Sequence, residues 1–276
     1  MKVWLNDFPL NDPSTRAYLN EQILGLDLPP IRTSSGNNAG RDGGYVGTQL
    51  YSPRHVSLQG AVFSSNVVEL ESNRRALQTA IASKDVVLRI LTDAGGSYIL
   101  YCNLLDFDMP IDRDMFKARF KIELLAPDPI LYDDTAGGEL TANFTRIVSG
   151  GYTYPVVFPV VYAPGGSPTT VTNGGTTAVR PSLVLTDVMT NPIVTNLRTG
   201  EFISLPGLAT APGDVVQIDM RAHTVTLNGG SIFDKRSDTS SWWMLYPGGN
   251  DIALTTSSGT DTVTGEARWR SGYMGI

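Results

Sequence analysis

Residues 117–130 read KARFKIELLAPDPI, an alternating run that ends in two prolines. With the residue before them, Phe116, Ala118, Phe120, Ile122 and Leu124 share one face. Lys117, Arg119, Lys121 and Glu123 take the other. Side chains along a strand point to opposite faces in turn, so this pattern makes a half-buried strand with one side on a core. Pro127 and Pro129 have no N–H for a ladder and push their predecessors to extended conformations, so the sheet must stop there. A chain of 276 residues is also of the size at which one core commonly gives way to two. We therefore expect two units, 1–130 and 131–276.

The two stretches differ in texture. The first opens with short strands at 3–5 and 17–24, a stop at Pro29-Pro30, and then TSSGNNAGRDGGYVG over residues 33–47. Five glycines and few apolar residues make this a long loop or hairpin tip, and loops of that length commonly carry function. One helix is expected over about 66–83. Asn66 and Glu69 have the spacing of a capping box, Leu70, Leu77 and Ile81 form its apolar stripe with Ala80, and Arg74 and Arg75 point outward. Strands follow at 86–91, 98–105 and 115–125. His55 lies in SPRHVSLQG, an alternating strand with the look of a sheet edge.

Beyond residue 130 no helical period recurs. Short apolar runs come every eight to twelve residues, at 183–186, 193–196, 201–205, 215–219, 223–227, 242–245, 252–256 and 266–269. Each is closed by Gly, Pro or Asn. That spacing makes a β-sandwich or jelly roll. The fold expected for the whole chain is mainly β, with a sandwich- or barrel-like first domain carrying the helix.

Little in the composition offers chemistry. A net charge of −6, with neither half basic, argues against binding nucleic acid through its phosphates. The single Cys102 sits in a strand-like run as a small core residue, and it has no partner for a disulfide or a zinc set. No apolar run is long enough for a membrane helix, and the first residues lack the apolar centre of a secretory signal. We therefore expect synthesis in a cytoplasm and no membrane insertion. His223 is expected on the face of Val225 and Leu227, in a structural role. Asp106, Asp108, Asp112 and Asp114 crowd nine residues, but they lack the glycine and closing Glu of a calcium loop, so a solvated turn is the expectation. GRDGGYVG has no Lys-Ser/Thr ending and is no phosphate cradle. No nucleophile elbow occurs. We expect neither an enzyme nor a cofactor. Trp242 and Trp243 are adjacent in SSWWMLYPGGN, so one should fill a core and the other face outward, where an aromatic platform can hold a sugar.

Several segments together resemble the distal tail protein (Dit) family of long-tailed bacteriophages, the siphovirus tail components. They are RDGGYVGTQLYSPRHVSLQGAVFSSNVVELESNRRALQTAI and FKIELLAPDPILYD in the first unit. In the second they are NPIVTNLRTGEFISL, GDVVQIDMRAHTVTLNGG, SSWWMLYPGGNDIAL and EARWRSGYMGI. The resemblance implies a first domain that assembles into a hexameric ring at the virion's tail tip, and a galectin-like second sandwich. It further implies a tail tube protein above the ring, a hub or fibre protein below it, and DNA passing through the lumen without specific binding. On this reading Arg41, Asp42, Gly43, Gly44 and Tyr45 make subunit or tube contacts, and Trp242 or Trp243 meets a sugar or a baseplate partner. A carbohydrate-binding module for host-surface polysaccharide is the first alternative, and a polysaccharide hydrolase built on the sandwich is the second.

Overall fold

The computed structural model describes residues 1–20, 22–111, 116–147 and 166–276. The chain divides into two compact units. One comprises Met1–Gly137 with Tyr273–Ile276, and the other Gly138–Gly272.

The sheet of the first unit follows the order Phe8–Leu10, Lys2–Leu5, Asp85–Leu91, Ser97–Asp108, Lys117–Ala126, Arg54–Phe63, Ala17–Leu19. Its two ends meet where Asn11 donates its N–H to the Ala17 carbonyl at 2.7 Å, so the sheet curls into a nearly closed barrel. Closure of this kind removes most of the exposed edge a flat sheet would carry. In Lys117–Ala126 the residues Ala118, Phe120, Ile122, Leu124 and Ala126 are all buried, as the alternation requires. Phe116 is exposed, against expectation, because it sits in a bend before the ladder begins and pleating does not govern it. Arg54–Phe63 is no edge. It pairs along its whole length with Lys117–Ala126 and again with Ala17–Leu19. The strand expected over 17–24 is ladder only at Ala17–Leu19, with one isolated bridge at Leu24. Between Leu104 and Asp106 the register slips against Lys117–Ala126, and this bulge turns Leu105 outward.

The helix runs over Val67–Ile81 and lays Leu77 and Ile81 into the core. Asn66 accepts the Glu69 N–H at 2.8 Å, the hydrogen bond expected of an N-cap. The reciprocal half of the box is displaced by one residue: the Glu69 carboxylate accepts from the Ser65 N–H at 2.8 Å. That hydrogen bond heads the causes holding the Glu69 carboxyl below its ordinary range. Arg74 does not point outward but donates to the Met109 carbonyl. Replacing Asn66 by Ala should lower the stability of this unit by about 1 kcal/mol, read as a small fall in denaturant midpoint. An unchanged midpoint would mean the cap is idle in solution.

The second unit is a sandwich of two antiparallel sheets. One has the order Leu140–Thr145, Thr264–Trp269, Ser182–Thr186, Val215–Asp219, Thr224–Leu227, Gly230–Ser231. The other has Thr169–Asn173, Gly248–Thr255, Ile193–Asn196, Glu201–Ser204. Three of these strands were not expected from the sequence, the shortest being Gly230–Ser231 in what reads as a turn. Leu140–Thr145 and the polar Thr169–Asn173 bury only alternate residues, such as Phe144 and Val171, and carry too little apolar signal to stand out. Conversely, 242–245 is not a ladder strand. It is held by separate hydrogen bonds, from the Ser241 N–H to the Phe202 carbonyl (2.8 Å) and from the Leu245 N–H to the Val179 carbonyl (2.7 Å).

Candidate functional site

The residues 33–47 singled out above form an arm. Ile31–Arg32 pairs with Leu50–Tyr51, and Ser35–Asn37 pairs with Gly44–Val46. The Asn38 N–H reaches the Gly43 carbonyl at 3.0 Å, and the Gly47 N–H reaches Ser34 at 2.7 Å. Of the two forms expected, the arm is the hairpin. Its backbone pairs with itself along these two ladders, while many of its side chains are left exposed. Tyr45 (59%), Val46 (63%), Ile31, Leu50 and Tyr51 are exposed, and so are Leu24 and Leu28 near its root. Scattered exposed apolar residues are normal; here seven of them lie on the hairpin or near its root. Arg41 and Asp42 sit at the bend, Gly43 takes φ +93°, and Gly44 and Tyr45 begin the return strand. All five are exposed. Tyr45 lies across Gly36, its ladder partner, where a Cβ would meet the ring at 2.7–2.9 Å.

The tryptophan pair splits as adjacency demands. Trp243 is 1% exposed in the sandwich core, and Trp242 is half-buried at the rim. Trp242 is not a bare platform. The His223 ring stacks on it with centroids 4.8 Å apart and planes at 11°, and Phe233 lies nearly parallel at 6.3 Å. The Arg236 guanidinium lies over Trp242 at 5.3 Å and over Phe233 at 5.7 Å. His223 does not share the face of Val225 and Leu227. It occupies an exposed turn with φ +56°, before the strand begins. No periodicity announces this cluster, because Phe233 comes from a single 3-10 turn, Phe233–Lys235, and His223 from a turn between strands.

The remaining candidates stay apart. Asp106 faces Glu123, and Asp108 faces Lys121, across the ladder. Asp112 and Asp114 lie outside the described residues. Among the described residues no three metal-ligating side chains converge. Cys102 is buried, and burial pushes its thiol up to about 12, so it packs as a small apolar group.

Residues 174–273 match the family model of the siphovirus-type tail component, C-terminal domain. The chain is similar to siphovirus distal tail proteins. The fold similarity extends over both units. The crystal structure of the SPP1 Dit (gp 19.1) protein, described as a paradigm of the hub adsorption apparatus in phages infecting Gram-positive bacteria, superposes with a TM-score of 0.67. It covers 98% of this chain and 98% of that one at 15% identity. The phage P2 baseplate in its activated conformation with Ca contains a chain that matches with a TM-score of 0.51. There 92% of this chain and 90% of that one align, at 13% identity. No curated protein sequence matches the chain. The matched stretch falls almost entirely in the sandwich but begins after its strands Leu140–Thr145 and Thr169–Asn173, while the likeness in fold covers the barrel as well.

Proposed function

We propose that the chain is a structural part of a phage tail tip, closing head to tail with copies of itself into a ring. The observation that carries this reading is the arm, a self-paired hairpin whose exposed apolar side chains need cover. A contact between two different patches of one molecule closes into a ring without self-complementarity. The likeness to a hub adsorption protein and to a baseplate chain supports the setting. The resemblance implies six copies, a tail tube on one side and a hub or fibre protein on the other. On this reading the first unit forms the ring, and Arg41–Tyr45 belong to its contacts. The protein is made in the host cytoplasm and ends in the virion's tail. An acidic chain suits a conduit, since phosphates adhere to basic walls.

Light scattering with negative-stain imaging tests the proposal. The expected particle is a ring with an open centre, of about six times 29.8 kDa. Deleting residues 36–44 should leave the monomer folded and abolish the ring. Rings formed as readily by the deleted protein would take the arm out of the interface. The carbohydrate alternative needs an open face on Trp242, and that ring is already stacked with His223 and overlaid by Arg236.

A further inference from the structure

Arg54 stands at the first position of Arg54–Phe63, facing the barrel core, and is 1% exposed. A buried guanidinium ordinarily takes a carboxylate partner. Here every acceptor is a backbone carbonyl. Nε and Nη2 donate to the Pro129 carbonyl at 3.0 and 2.9 Å, and Nη2 also donates to Met274 at 2.7 Å. Nη1 donates to Gly25 at 2.6 Å and to Asp27. All five N–H donors of the group are used, which is the limit of what arginine offers.

The acceptors come from three separate stretches. Gly25 and Asp27 precede the arm, whose two legs are joined where the Ser52 N–H meets the Pro30 carbonyl at 2.7 Å. Arg54 itself stands just beyond the second leg. Pro129 belongs to the double-proline break. Met274 belongs to Tyr273–Ile276, which follows the whole second unit in sequence yet packs in the first. That segment makes further contacts at the same place. The Ile276 N–H meets the Leu26 carbonyl at 3.4 Å, Gly275 lies close against Asp27 and Leu28, and Tyr273 stands edge-on to Tyr98 at 5.4 Å.

We infer that Arg54 and Tyr273–Ile276 form the mount of the arm, so that the assembly surface is set only when the chain has returned from the second unit. This rests on the arm being the subunit contact. A cation held by a carboxylate would be satisfied by one neighbour. A cation held by carbonyls from three stretches is satisfied only when all three are in place. A chain lacking 273–276 leaves a buried N–H without its acceptor and Leu26 without its partner. Its barrel can still form, but the root of its arm is loose. Copies that have not yet folded back are thereby kept out of the ring.

The test is amide hydrogen exchange on a chain ended after Gly272 and on Arg54→Lys in the full-length chain. An ammonium has three donors and cannot reproduce five fork-directed bonds. The Leu24 and Ser52 amides, bonded to the Ser57 and Pro30 carbonyls, report on the root. Strands Asp85–Leu91 and Lys117–Ala126 report on the barrel. We expect exchange at the root to quicken at least tenfold while the barrel keeps its protection, with ring mass lost in parallel. Unchanged exchange at the root would overturn the mount. So would loss of protection throughout the unit in both variants, which would make Arg54 a general core element. Rings that form normally from a chain with a loosened root would overturn its control of assembly. Failure of the arm's own role is read separately, from the chain lacking residues 36–44.

Discussion

Trp243→Ala should unfold the second unit well before the first. The side chain is among the largest fully buried ones in the protein. Truncating a core tryptophan removes its transfer free energy and leaves a cavity, together costing about 3–5 kcal/mol. For a domain of this size that lowers the melting temperature by roughly 10–15 °C. The indole Nε1–H is buried with no hydrogen-bond partner among the described residues, so Trp243→Phe discards an unsatisfied donor along with some volume and should cost distinctly less. Differential scanning calorimetry reads both, because two units with separate cores can melt as two transitions. Coincident melting of Trp243→Ala and the parent protein would mean that this tryptophan is not in the core. Trp242→Ala, at the rim, should shift the same transition far less.

Gly25→Ala is expected to destabilise the first unit by about 3 kcal/mol or more. Gly25 has φ +92°, a conformation that side chains with a Cβ rarely adopt. A Cβ there would lie 1.8 Å from the His55 carbonyl oxygen and 3.2 Å from the Val56 Cα. Neither atom yields easily, because His55 and Val56 are laddered to Leu125 and Leu124 on one side and the Leu24–Ser57 bridge ties the same stretch on the other. The shift would also disturb the carbonyl that Arg54 Nη1 holds. Denaturant unfolding should show an earlier loss of the helix Val67–Ile81, which lies in this unit, with the second unit unaffected. A change within about 0.5 kcal/mol, the range of ordinary surface substitutions, would show that the loop relaxes freely around the new methyl.

Short-range rules were legible wherever one physical cause decided the outcome. Alternation alone dictated the buried face of Lys117–Ala126, and two prolines dictated where it stops. Asn66 and the spacing of Leu77 and Ile81 dictated the helix and its start. Adjacency alone forced Trp242 and Trp243 to opposite sides, since neighbours on extended backbone cannot share a face. Glycine density at 33–47 marked the arm, but did not say that exposed apolar side chains line it from Ile31 to Tyr51.

Other features belong to tertiary structure, because their partners are far apart in sequence. Arg54 lies in the run SPRHVSLQG, and nothing in that run sets it apart. It is buried because carbonyls from Gly25, Asp27, Pro129 and Met274 happen to converge on its five donors. His223 reads as the start of a strand, yet it turns out to stack on Trp242 from a left-handed turn. The chain's own sequence therefore determined most of the strands, the helix and the place of the arm. Only the fold decided what holds the arm's root, since hydrogen bonds between distant carbonyls and one guanidinium leave no periodic trace along the chain.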